Sequence, residues 1–222
     1  MKLLFLDTET TGLGVNDRII QISYSFDEKI FTEFINPGIE IPPDSSCIHG
    51  ITYEDIKSAP FFKDSKSYTF LQNINDFVVV GHNIQFDLEM LYKEGIKASK
   101  YIDTLQITRH FYPELKQYKL QYLRYYFPLK TKETIIPHSS EGDVIVLKLL
   151  FNKLYEKNQN IEKLIELSKT PALMKYIPFG KYKGLEFQEV LKKDKRYFAW
   201  MERTFGDKNM IYTISYLKTK FS

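Results

Sequence analysis

Cysteine is nearly absent from this 222-residue chain, with Cys47 alone, so no disulfide can form within it, and a reducing cytoplasm is the expected location. A thiol nucleophile would also need a base and an oxyanion site, and only His49 stands near Cys47 in sequence. No stretch approaches the roughly 18 apolar residues of a membrane span. The opening Met1-Lys2-Leu3-Leu4-Phe5-Leu6-Asp7 meets acids too soon for a signal peptide. Internal repeats and low-complexity tracts are lacking as well. What remains is an ordinary globular composition, 43% hydrophobic and 27% charged, with length for one sizeable domain and a small appendage. The 16 Tyr and 17 Phe fit base stacking and codon bias alike.

Net charge is also low, at +3, but it is unevenly spread. Residues 1–168 carry 19 Lys/Arg against 23 Asp/Glu, whereas residues 169–222 carry 12 against 5. A basic tail beside an acidic body suits a polyanionic partner, and a solvated lysine surface equally.

The pattern predicts strands over Leu3–Thr8, Ile19–Phe26 and Lys29–Ile35, with Asp27-Glu28 closing a hairpin. Short helices are expected over 44–76, with a capping start at Thr52–Asp55 and an amphipathic helix over Tyr68–Asp76. Phe77–Val80 and Tyr101–Thr104 read as further strands. Phe86–Glu94, Leu105–Phe111, Leu120–Tyr126 and Gly142 to about 156 read as helices. This mixture indicates an α/β sheet that is not purely parallel. A polar linker at 157–160 and a short helix over Ile161–Leu167 lead to a boundary near 168. Domain 1–168 is thus followed by a small basic module, 169–222, with amphipathic pieces at Phe187–Leu191 and Tyr197–Met201.

Acids at element ends are the candidate functional residues. Asp7 and Glu9 stand two apart at the end of an apolar strand, so both carboxylates share one face. They repel unless a proton or cation relieves them, and hard oxygen donors suit Mg²⁺ or Mn²⁺. Two solvated acids in a surface turn are the plain alternative. Asp87 and Asp143 each head a predicted helix, where an acid also serves as a cap or dipole partner. Strand termini of α/β sheets gather functional groups.

Asp7-Thr8-Glu9-Thr10-Thr11-Gly12-Leu13, His82-Asn83 with Phe86-Asp87, and His138 five residues before Asp143 together resemble the motifs of the DEDDh family of 3′→5′ exonucleases. That family includes DnaQ-like proofreading subunits, ribonuclease T and exodeoxyribonuclease X-like proteins. The resemblance spans 1 to about 155. Pro178-Phe179-Gly180-Lys181-Tyr182-Lys183-Gly184 with Tyr197 and Trp200 is similar to the C-terminal module of exodeoxyribonuclease X-like proteins.

The resemblance implies a ribonuclease H-like fold: a five-stranded mixed sheet flanked by helices, here with a small C-terminal α+β module. It implies hydrolysis at DNA 3′ ends that releases nucleoside 5′-monophosphates, with exoribonuclease action on RNA 3′ ends as the alternative. A binding module that has lost its chemistry is a third reading, disfavoured by the intact acids. Two divalent ions, Mg²⁺ or Mn²⁺, would be held by Asp7, Glu9, Asp87 and Asp143, with Asp7 bridging them and His138 as general base. Thr10, Leu13, His49 and Phe86 would border the terminal nucleotide, although Phe86 also suits the core. Expected partners are single-stranded DNA or DNA 3′ ends and replication or repair proteins, with no membrane; oligomeric state is left open. Lys181, Lys183, Lys192, Lys193 and Arg196 would contact phosphates. Phe179, Tyr197 and Trp200 fit the module's own core better than a stacking platform. Ser139, Ser140 and Gly142 depart from the family pattern, and glycine at 142 is expected to loosen the helix start.

Overall fold

The structure, a computed structural model, describes residues 2–133, 135–136 and 139–221. Strand β1 (Lys2–Thr10) lies at the centre of a five-stranded sheet with β2 (Ile19–Phe26), β3 (Lys29–Phe34), β4 (Phe77–Gly81) and β5 (Tyr101–Asp103). Their order is β3-β2-β1-β4-β5. β1, β2 and β3 pair antiparallel, whereas β4 pairs parallel with both β1 and β5. Asp27 and Glu28 turn the hairpin with φ of 47° and 68°, the left-handed pair that matches strand twist in a two-residue loop.

Alternation along β1 divides the core. Leu4 and Leu6 join Ile22, Val79, Ile84 and Leu91 on one face, while Phe5 joins Val78, Val80, Val144 and Leu147 on the other. Short helices α1 (Pro43–His49) and α2 (Tyr53–Ile56) follow the hairpin, and Thr52 and Asp55 form the expected capping box at α2. The Leu4 face is covered by α3 (Lys66–Asn73) and α4 (Gln85–Lys93). Helices α5 (Thr104–Phe111), α6 (Leu120–Tyr126), α7 (Ser140–Tyr155) and α8 (Ile161–Lys169) cover the Phe5 face. Ser168 at the end of α8 still belongs to this body, since its hydroxyl accepts from the Asp103 N–H of β5 at 2.8 Å.

The tail builds its own apolar cluster from Ile177, Phe187, Phe198, Met201, Met210 and Ile214. It consists of α9 (Phe187–Lys193), α10 (Lys195–Thr204) and α11 (Lys208–Lys220), with strand character confined to one antiparallel bridge, Tyr176 to Glu186. The pattern reading did not foresee α11. Its signal was present: Asp207 caps Met210, and Met210, Thr213, Ile214 and Leu217 recur at helical spacing along the buried stripe. Phe179 and Tyr197 join the core of the tail, as expected. Trp200 is 40% exposed, although its ring packs edge-on to Phe205. None of the helices is long and apolar enough to cross a membrane, among the described residues.

Body and tail meet through a buried amide pair. Gln106 Nε2 donates to Asn209 Oδ1 at 2.7 Å and Asn209 Nδ2 returns a bond to Gln106 Oε1 at 3.1 Å. Asn209 Oδ1 also accepts from the Ala172 N–H at 2.7 Å, and Gln106 Nε2 donates to the Thr170 carbonyl. Replacing Asn209 strands buried polar groups on two segments. Asn209→Ala is therefore expected to cost about 1–3 kcal/mol, read as a lower midpoint in urea denaturation; an unchanged midpoint would mean that the pair does not hold the tail.

Candidate active site

The site forms where β1 outruns its parallel neighbour. Beyond Phe5 the same face carries Asp7 and Glu9, and the pairing with β2 shifts register between Glu9 and Thr10. Facing them is the first turn of α7, capped by Ser139, whose hydroxyl accepts from the Gly142 N–H. Asp143 projects from that turn. Asp7, Glu9 and Asp143 each offer an oxygen, all lying within 4.8 Å of one another. Three carboxylates so close form an all-oxygen, hard donor set.

Asp87 approaches from the opposite helical layer. It lies in the first turn of α4, is 5% exposed, and accepts through Oδ1 from the Thr8 N–H at 3.0 Å and the Thr8 hydroxyl at 2.7 Å. Thr8, on the opposite face of β1 to Asp7, thus ties Asp87 to the strand that carries the other acids. Burial raises the Asp87 pKa, and the two Thr8 bonds oppose that rise.

The electrostatics are those of an uncompensated cluster. Burial, then the charges of Asp87, Asp143 and Glu9, push the Asp7 carboxyl well above the usual range. Burial, then Asp143 and Asp87, raise Glu9 to about 8. Like charges in a partly desolvated space disfavour ionisation, and a bound cation reverses that preference. The donor set therefore fits divalent metal by its chemistry. Charge and geometry agree.

Other expected residues fall in distinct settings. Thr10 is buried and its hydroxyl donates to the Gly12 carbonyl at 2.7 Å. Leu13 is 86% exposed on the following loop, clear of the core. That loop is shaped by Asp17, whose carboxylate accepts from the Thr11 hydroxyl at 2.7 Å and the Gly14 N–H at 2.6 Å. His49 accepts from the Ile51 N–H through Nδ1 at 3.0 Å, while its other ring nitrogen is buried beside the Thr10 backbone. Burial lowers its pKa, opposed by the Thr10 backbone. Phe86 is half-buried against the Leu4-side core, as its alternative reading had it. His138 lies outside the described residues.

Gly142 differs from expectation. The Ile136 carbonyl occupies the space that a Cβ at 142 would need, so glycine lets the incoming segment pack tightly on α7. The helix start is crowded there, because backbone replaces a side chain. Ser140 adds to the anchoring: fully buried, its hydroxyl meets Gln21 Oε1 at 2.8 Å and the Ser23 hydroxyl at 2.7 Å on β2.

The sequence reading missed one supporting group, Gln121, and gave no partner to two others, His82 and Asp103. Gln121 Nε2 donates to Asp143 Oδ1 at 2.5 Å. His82 bridges the Thr104 hydroxyl at 2.9 Å and the Tyr118 carbonyl at 2.6 Å, and burial lowers its pKa to about 4, so it is neutral near pH 7. Asp103 caps α5 at the Leu105 N–H and also accepts from the Asn83 N–H at 2.9 Å, fixing the loop before α4. Each acts across a gap of about twenty residues or more, which local spacing does not reveal.

Known proteins share this architecture. The family model described as Exonuclease matches residues 4–151, and one described as Exodeoxyribonuclease X-like C-terminal matches 177–203. A DNA polymerase III subunit epsilon from Treponema pallidum is 36% identical over 67% of this chain and 74% of its own length. Exodeoxyribonuclease 10 of Escherichia coli is 26% identical over 90% of each chain. In contrast, the chain spans only 12% of a PolC-type DNA polymerase III from Caldanaerobacter subterraneus, at 32% identity. Among solved structures, exonuclease X in complex with 5′-overhanging duplex DNA superposes with a TM-score of 0.61 at 21% identity, covering 75% of this chain and 99% of that one. With its five-stranded mixed sheet of the ribonuclease H-like kind, the chain belongs to the exonuclease family, in its DEDDh branch, and carries an exodeoxyribonuclease X-like C-terminal module.

Proposed function

We propose that this protein is a metal-dependent 3′→5′ exonuclease that hydrolyses phosphodiester bonds at DNA 3′ ends and releases nucleoside 5′-monophosphates. The observation that carries the reading is the convergence of Asp7, Glu9 and Asp143 within 4.8 Å, with Asp87 close enough to raise the Asp7 pKa by its charge. DNA is favoured over RNA because relatives named for DNA polymerase III and exodeoxyribonuclease align with most of the chain. Replication or repair proteins are the expected protein partners and the cytoplasm the expected location.

Asp7, Glu9 and Asp143 would hold one divalent ion, Mg²⁺ or Mn²⁺, and Asp87 would hold a second together with Asp7. Bound there, such ions neutralise phosphoryl charge and lower the pKa of water. The protein's own groups do the rest. His138 takes the proton from the attacking water, since an imidazole with a pKa of about 6.5 is a competent base near neutrality. Gln121 holds Asp143 in place through its amide, and Thr8 holds Asp87. Thr10 and His49 border the terminal sugar, Phe86 stands behind it, and the exposed Leu13 packs on the terminal base. Residues 1–168 form the catalytic unit and 169–222 a separate module.

A 5′-labelled DNA oligonucleotide should give a ladder of shortened labelled products with Mg²⁺ or Mn²⁺. Asp7→Ala should abolish that ladder in a folded protein, and chelator should do so for the wild type. Hydrolysis that survives chelation would sink the reading, and a matched RNA degraded faster than DNA would transfer it to RNA. His138→Ala should slow turnover by about 10²–10⁴-fold; near wild-type turnover would remove the general-base role.

Linkage gives a further expectation. Glu9 sits near 8 in the fold against 4.5 for a free side chain, so the folded state holds its proton more tightly. That contribution is complete below the unfolded value and is lost as pH rises through about 8. In chelator, the melting temperature should therefore fall between about pH 5 and 8, and Mn²⁺ should raise it more at the upper end. Glu9→Gln should flatten this profile. A slope unchanged by Glu9→Gln would show that the cluster does not set it.

A further inference from the structure

A cavity of about 820 Å³ opens between the body and the tail, and Asp143 is part of its lining. Among the described residues Asp143 is the one acid there, against five cations: Arg109, Lys116, Lys119, Lys175 and Lys183. This reverses the charge of the body, which carries four more acids than bases over residues 1–168. The cations come from both sides, the first three from the body and the other two from the tail. Lys116, Lys119, Lys175 and Lys183 are exposed.

Existing partners engage part of this charge: Lys175 lies over the Tyr176 ring at 5.3 Å and Arg109 over the Tyr118 ring at 5.6 Å. Lys175 meets Glu186 at 3.2 Å and Arg109 stands 3.9 Å from Asp207. Lys116, Lys119 and Lys183 make no ion pair among the described residues. Lys181, by contrast, is engaged by Asp194 at 2.9 Å and lies over the Tyr182 and Tyr197 rings, which makes it part of the module's own structure.

Tyr118, Tyr122 and Tyr176 line the same groove, each half-exposed. The walls are held in place: His82 bonds the Tyr118 carbonyl, Lys116 sits 5.5 Å over the Tyr176 ring, and the Gln106–Asn209 pair joins body to tail. Cations that follow a backbone, interleaved with aromatic faces for unpaired bases, are what a single strand requires. A stacked duplex hides its base faces.

We propose that this groove holds the single-stranded polynucleotide on the 5′ side of the terminal nucleotide, with Arg109, Lys116 and Lys119 contacting its phosphates from the body and Lys175 and Lys183 from the module. The proposal rests on the exonuclease reading, because a strand whose 3′ end lies at Asp143 passes directly into this cavity. It gives the C-terminal module a defined duty as the second wall of the track. It also replaces the phosphate contacts expected from sequence: of that set, Lys183 faces the groove, while Lys192 lines a different cavity with Lys195 and Phe221.

The test is fluorescence anisotropy of a labelled oligodeoxythymidylate with the full chain, in chelator so that the probe stays intact. Lys116→Ala/Lys183→Ala should weaken binding about tenfold and flatten the salt dependence of log K by about 1.4, two phosphate contacts on a single strand. Lys119→Ala/Lys175→Ala, a second pair from the same groove, should behave alike, and Lys116→Arg/Lys183→Arg should restore binding. Lys192→Ala/Lys193→Ala removes equal charge elsewhere and should have a much smaller effect. An equal loss from that control, or an unchanged salt slope in both groove pairs, would overturn the proposal. Wild-type protein that shortens the oligonucleotide with Mg²⁺ while both groove pairs bind normally would overturn the groove alone. Groove-dependent binding without any Mg²⁺-dependent shortening would instead remove the exonuclease reading.

Discussion

Mutual repulsion among carboxylates is the constraint around which this structure is arranged. Asp7 and Glu9 share a face of β1, Asp143 enters from α7, and Asp87 is drawn in by Thr8. Left alone, such a group resists ionisation, as the raised pKa values of Asp7 and Glu9 record. The fold tolerates this because its supports lie elsewhere. Apolar residues pack on both faces of β1 up to Leu6, and Ser140 locks α7 onto β2 through Gln21 and Ser23. A cluster that is electrostatically unfavourable by itself is the kind of donor set that a cation would relieve.

Sheet topology makes the convergence possible. β1 is central, antiparallel to β2 and parallel to β4. The parallel pairing brings the C-terminal ends of β1 and β4 to the same edge, where the loop before α4 leaves with Asp87. Layers on opposite faces then reach one strand end from two sides. The same edge continues into the cationic groove, whose far wall is the tail module, so the module is joined to the site as well as to the chain.

Much of this was legible in local pattern. β2 runs from Ile19 to Phe26 and α6 from Leu120 to Tyr126, the bounds that periodicity predicts, because each depends on burial of its own residues. The acid pair on β1 was equally readable, since strand alternation fixes a shared face without reference to the rest of the chain. Less legible were contacts between distant segments. Gln121 on Asp143 and Asp17 shaping the loop of Leu13 involve ordinary polar residues that local spacing does not distinguish, and spacing did not show that the Asn83 N–H and Asp103 pair. Gly142 was misread for the same reason: its need is set by the Ile136 carbonyl, a neighbour brought close by a turn.

The sequence by itself determined most of the elements, the shared face of Asp7 and Glu9 and the charge contrast between body and tail, because all three reside in residue identity and near spacing. Tertiary structure decided which charges act together. It gathered Asp7, Glu9 and Asp143 within 4.8 Å, diverted Lys181 into an ion pair with Asp194, and set Lys116 and Lys183 in one cavity beside Asp143. The physical reason is that Coulomb interaction depends on distance in space and on local solvent exclusion, and chain order alone specifies neither.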